Sequence, residues 1–285
     1  MLLIIKKPIF VFSNLQMEVV SNSSINHSKL IILVSTNSLS FVCKNSENNT
    51  FENLRKIRFE NHQKTNKIED LLVEVFNSNK ELTKSYNEVL VLHSNNLSAF
   101  VPTELFDEDY LASYLQFNTK VFETDFFTFD SLAPHQINNV YIPYVNMNNF
   151  FIDHFGTFTY KHSSTILVVE LLEISKKYST KTMFVAVSET HFEIVVAQNK
   201  NLLFYNSFEY LTPEDFIYYL LFTAEQLQLN TEIFDLQLLG DISEDSALFK
   251  IAHKYIRNTT LLECDISKNN FSDAEYRQHF ILLHS

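Results

Sequence analysis

The chain has 285 residues, 46% of them hydrophobic and 20% charged, so it can build one large or two modest cores and is too apolar for wholesale disorder. Its 22 basic and 34 acidic side chains leave a net charge of −12, and no Lys/Arg run is long enough to track a phosphate backbone, which argues against nucleic acid as a direct ligand. Cys43 and Cys264 stand alone, without CxxC or Cys/His ligand spacing, as expected in a reducing, cytoplasmic compartment.

Residues 1–28 form a poorly defined N-terminal segment. Its start, MLLIIKKPIFVFSNLQ, resembles a secretory signal only in hydrophobicity: Lys6, Lys7 and Pro8 interrupt the apolar run and no small-x-small cleavage site follows. Initiation at Met17 is the alternative reading of this stretch. No later segment reaches about 18 uninterrupted apolar residues, so no membrane span is expected.

Residues 29–35 (KLIILVS) and 39–43 (LSFVC) read as a hairpin around Thr36-Asn37-Ser38, and 55–59 (RKIRF) as a charged edge strand after the NSENNT loop. Ile68, Leu71, Leu72, Val75 and Phe76 recur at helical spacing, and 89–93 (VLVLH) is a short buried strand. Beyond Pro102 a second helix is expected, with Tyr110, Leu111, Tyr114 and Leu115 on its apolar face and Asp107 as its cap; 121–129 (VFETDFFTF) then has strand composition. Residues 138–178 read as the connection between two related lobes.

The pattern then recurs. Residues 184–188 (FVAVS) and 192–197 (FEIVVA) form a hairpin around Glu189-Thr190-His191, and 202–206 (LLFYN) makes a third strand. Thr212-Pro213-Glu214-Asp215 is a helix start with a cap, a first-position Pro and an acid three residues after the cap. Residues 235–239 (DLQLL), a helix carrying Ala247, Leu248, Ile251, Ala252, Tyr255 and Ile256, and 260–264 (TLLEC) complete the unit. Each half reads strand, strand, strand, helix, strand, helix, strand. The first hairpins superpose without a gap, Ser35 on Ser188, Leu39 on Phe192 and Phe41 on Ile194, which points to an internal duplication with lobes at 29–182 and 183–285.

A duplicated unit of this order, α/β with mixed sheets, resembles the actin, sugar kinase and Hsp70 superfamily with its ribonuclease H-like lobes. More narrowly, NSLSFVC at 37–43, VPTELFDEDYLASYLQFN at 101–118 and VYIPYVNMNNFFIDHFGTFTYKHSSTIL at 140–167 resemble a bacterial family of unknown function with an actin-like ATPase fold. That resemblance implies the fold and assigns no activity. In the superfamily, two phosphate-binding hairpins resemble Asp-x-Gly, whose glycines let backbone amides approach phosphate. The matching turns here, Ser35-Thr36-Asn37-Ser38 and Ser188-Glu189-Thr190-His191, have neither Asp nor Gly. Leu238-Leu239-Gly240-Asp241 keeps one glycine of the adenosine turn. The chain has only 2 Gly, against about 20 at an average usage of about 7%.

Other constellations carry less. Asp153, His154 and His162 match no familiar metal spacing; Gly156 reads as a helix C-cap, and His162 with Ser163 and Ser164 as a helix entry. Cys43 and Cys264 follow apolar residues on expected strands and read as small hydrophobes. Phe208, Tyr210, Phe216, Tyr218 and Tyr219 exceed the needs of one buried helical face, so some of these rings are candidates for a contact surface. The expectation is a non-catalytic actin-like protein without cofactor or metal, acting through a protein partner or self-association. The alternative is a nucleotide- or small-ligand-binding protein whose altered cleft presents Ser35, Asn37, Ser188, Thr190 and Gly240.

Overall fold

The computed structural model describes residues 28–59, 67–117, 119–263 and 271–285. Two five-stranded mixed sheets dominate it. In the first, β1 (Ser28–Val34) pairs antiparallel with β2 (Ser38–Asn45), which pairs with the edge strand β3 (Thr50–Arg58). Helix α1 (Ile68–Ser78) then leads to β4 (Glu88–His93), parallel to β1. The expected helical stripe is the buried one, with Leu72, Val75 and Phe76 facing the sheet.

The chain next leaves this sheet. β5 (Ser98–Pro102), a short α2 (Leu111–Leu115), β6 (Thr128–Leu132) and β7 (Ile137–Tyr141) form a separate unit whose strands pair in the order β5-β7-β6. Here the segment-level expectations need correcting. Residues 121–127 are not strand, because strand pairing begins only at Thr128, and Tyr110 is 61% exposed instead of lying on an apolar face. The last helix and strand of the first unit come from the stretch read as a connection: α3 (Val145–Phe155) packs with α1, and β8 (Thr159–His162) runs parallel to β4. Local composition cannot distinguish an inserted helix and strand from the ones that join the sheet.

Helix α4 (Ser163–Ser175) crosses to the second sheet with Leu167, Val168, Leu171 and Leu172 fully buried. β9 (Thr182–Val187), β10 (His191–Gln198) and β11 (Asn201–Glu209) are antiparallel neighbours. Helix α5 (Pro213–Gln226) starts on the capping box read from the sequence: Thr212 accepts from the Asp215 amide and Asp215 accepts from that of Thr212. β12 (Asp235–Gly240), α6 (Ala247–Tyr255) and β13 (Asn258–Leu261) follow, the two strands parallel. Cys264, at the end of the expected last strand, lies outside the described residues.

The two sheets have the same strand order, β3-β2-β1-β4-β8 and β11-β10-β9-β12-β13. Their hairpins also share a register: Val34 pairs with Leu39 as Val187 pairs with Phe192, and Ile32 with Phe41 as Val185 with Ile194. The space between the sheets is filled by α4 and by α7 (Asp273–Gln278) and α8 (Phe280–Leu283). Leu282 packs on Ile31, Val42, Leu90 and Leu92 of the first sheet, while Phe280 and Leu283 join Phe184, Val195 and Leu239 of the second. Among the described residues no helix is long and apolar enough to cross a membrane.

Candidate functional site

A cleft of about 790 Å³ opens where the two hairpin turns face each other, and Ser35, Asn37, Ser188, Thr190 and Gly240 all line it. The turns are built alike. The Ser35 amide donates to the Ser38 carbonyl at 2.9 Å, as the Ser188 amide does to that of His191. Likewise the Phe59 amide donates to Asn37 O and the Tyr210 amide to Thr190 O.

In the first turn the Ser35 hydroxyl already engages the neighbouring amides. Ser35 Oγ accepts from the amides of Ser38 (3.1 Å) and Asn37 (3.4 Å) and donates to Asn37 Oδ1 at 2.6 Å. In a glycine-rich turn those amides are the groups that meet an anion. The second turn presents the carboxylate of Glu189, paired with Arg58 of β3 at 3.2 Å. A second ion pair crosses the cleft from Lys56 to Asp241 at 2.9 Å, and Gln278 also donates to Asp241. His279 lies beside this group, and burial, with the Lys56 charge, lowers its pKa.

Gly240 has φ +90°, and a Cβ there would come within 2.1 Å of the Val187 carbonyl oxygen. The residue therefore has to be glycine because β12 meets the end of β9, whatever the cleft holds.

Behind the cleft lies a buried polar layer. His93 and His162 pair across β4 and β8. His93 Nδ1 accepts from the Tyr144 amide, so its Nε2–H donates to Asn148 Oδ1 at 2.9 Å. His162 Nδ1 accepts from the Ser164 amide, and its Nε2–H donates to Asn95 Oδ1 at 3.2 Å. Burial holds His93 at a pKa of about 4; burial and then the neighbouring His93 bring His162 to about 3. Both rings are neutral with every nitrogen occupied, which suits neither a general base nor a metal ligand. His162 caps α4, as its sequence position indicated.

Two carboxyls share this layer. Asp130 accepts from Thr165 Oγ1 (2.6 Å), the His162 amide (2.9 Å) and Tyr141 OH (3.1 Å), and Glu193 accepts from Tyr205 OH (2.7 Å). Burial raises the pKa of each. Neither was legible as a site residue, since a single acid in an aromatic or β-branched run carries no spacing signal. His154 stacks on Phe150 and meets Phe76 edge-on, and no group of three metal-ligating side chains occurs among the described residues. Gly156, at φ +73°, is the C-cap of α3. Cys43 shares a hydrogen bond with Tyr86 OH, and burial raises its thiol pKa, the opposite of an activated nucleophile.

Comparison with known proteins places the fold. A Bacteroides thetaiotaomicron protein with actin-like ATPase fold and unknown function superposes with a TM-score of 0.78 at 23% identity, over 92% of this chain and 97% of that one. The PilM–PilN type IV pilus biogenesis complex gives a chain with a TM-score of 0.62 at 12% identity, over 90% of this chain and 96% of that one. No curated protein matches the sequence. The chain has the actin-like ATPase fold, and its residues 18–259 match the family described as Protein of unknown function (DUF3822), to which it belongs.

Proposed function

We propose that this chain is a non-catalytic protein of actin-like fold that works by binding another protein, as an adaptor or scaffold, with a cleft that no longer serves nucleotide. The carrying observation is the state of the two turns: one spends its amides on Ser35 Oγ, and the other offers the Glu189 carboxylate where phosphate needs donors. We read the matched sheets and hairpin registers as an internal duplication, with lobes at 29–182 and 183–285. The proposed setting is a bacterial cytoplasm, in keeping with the free thiol of Cys43. PilM, a protein of similar fold, forms a complex with PilN, which supports partner binding as a use of such a scaffold. Titration calorimetry with ATP and Mg²⁺ tests the reading: no binding in the micromolar range is expected, and micromolar affinity would overturn it.

One observation favours a second reading, a nucleotide- or small-ligand-binding protein with altered contacts. The cleft's volume of about 790 Å³ falls within the usual range for ligand sites, and Ser35, Asn37, Ser188 and Thr190 offer hydroxyls and an amide along it. A nucleotide at 100 times its dissociation constant adds about 2.7 kcal/mol to stability. A thermal-shift panel in which no nucleotide moves the midpoint removes this alternative.

A further inference from the structure

Among the described residues the second sheet ends on β11, and that edge differs chemically from its counterpart β3. β3 carries Glu52, Arg55, Lys56 and Arg58, charges that discourage a further strand. β11 (NLLFYNSFE) carries only Glu209. A register shift leaves Leu203 unmatched and blunts one end, but residues 204–209 pair with β10 without interruption. Within them the Ser207 amide is held by Asn206 Oδ1 at 2.9 Å, a local partner that an incoming carbonyl can replace.

The edge continues into an uncovered aromatic face. Phe208 of β11 stacks on Tyr219 of α5, with ring centroids 4.6 Å apart. One step outward Tyr218 and Phe222 stack on each other, 60% and 46% exposed. Backbone hydrogen-bonding groups and apolar rings thus lie side by side, the combination that strand addition uses: main-chain pairing supplies affinity and alternate side chains supply selectivity.

Charge identifies the occupant. No Lys or Arg occurs between Lys200 and Lys250, while Glu209, Glu214 and Glu225 stand exposed on β11 and α5. A second copy of the chain would set these acids against themselves, whereas cations meet both the carboxylates and the aromatic faces favourably. We propose that β11 and the adjoining face of α5 bind an extended, Lys/Arg-bearing segment of another protein, which adds to the sheet as a further strand with its apolar side chains on Tyr218 and Phe222. This rests on the protein-binding reading above and names the chemistry of the partner.

The test is selection from a random peptide library displayed on phage, panned against the full chain at low salt, followed by titration of the synthetic selected peptides. Enriched sequences should alternate apolar residues with Lys or Arg, and their binding should weaken by roughly tenfold at high salt. Phe222→Lys, at an exposed position that leaves the fold intact, and Ser207→Pro, which removes an edge donor, should each cost about tenfold or more in affinity. Bound peptide should also slow hydrogen exchange at residues 204–209. Absence of enrichment, peptides without cations, or full affinity for both variants would overturn the proposal. Peptides that protect another surface would overturn this site and leave the protein-binding reading standing. Micromolar ATP binding would overturn that reading without touching β11.

Discussion

Gly240 illustrates how a residue can be required for a reason that its local sequence does not show. As the single glycine left in a nucleoside-binding turn it pointed to the cleft, and it does line the cleft. Its requirement, however, comes from Val187, whose backbone occupies the position a Cβ would take, a contact set by strand pairing and absent from any local pattern. Gly240→Ala should therefore destabilise the protein by about 3 kcal/mol or more, combining a strained φ with a backbone clash; the urea unfolding midpoint measures it. The buried histidines make a second prediction. Their folded pKa values, about 4 for His93 and about 3 for His162, lie below the ordinary value of 6.5. The unfolded chain then binds protons that the folded chain does not, so their contribution is intact above pH 6.5 and is lost as pH falls toward those values. Asp130 and Glu193 act oppositely, because their raised pKa values withdraw stability as pH rises above the ordinary carboxylate range. Comparing variant with wild type separates the two: in His93→Gln, the stability lost per pH unit between 6.5 and 4 should shrink by about 1 kcal/mol. Unfolding curves across that range that run parallel in the two proteins would contradict the assignment.

At the scale of elements, legibility followed whether the signal was local. The hairpins, α1 and the start of α5 were readable because alternation, helical spacing and a cap are written in consecutive residues. Thr212→Ala should cost about 1 kcal/mol, since it leaves the Asp215 amide without its partner. The failure came between β4 and α4, where two helices and several strand-like runs compete for one place in the first sheet. What decides among them is tertiary: Met147 and Phe151 of α3 reach the core shared with Phe76, and β8 aligns beside β4. By contrast α2 buries Leu115 against the small sheet of β5, β6 and β7. Of the cleft, the two turns were legible through their equivalence, and Gly240 only through the resemblance of its turn to the superfamily's adenosine turn. The cross-cleft ion pairs, the half-buried Asp130 and the buried Glu193 were not, because their partners come from distant segments.

At the scale of the whole molecule, what holds the two sheets together determines whether the cleft can open. The Arg58–Glu189 pair contributes little: both side chains are more than half exposed, and such pairs are worth about 0–1 kcal/mol. The apolar wedge contributes more. α8 places Leu282 on the first sheet and Phe280 and Leu283 on the second, all nearly or fully buried, so a four-residue helix bridges both faces alongside α4. Truncating a buried Leu to Ala costs about 2–5 kcal/mol. Here that cost falls on the contact that couples the sheets, while the outer cores around α1 with α3 and α5 with α6 stay intact. The wild-type chain should therefore melt in one calorimetric transition, whereas Leu282→Ala combined with Leu283→Ala should resolve two, the sheets unfolding separately. Arg58→Met, which removes only the exposed pair, should keep one transition with its midpoint almost unmoved. A single transition in the double variant, shifted but undivided, would mean that α4 alone couples the sheets and that the C-terminal wedge does not control the cleft.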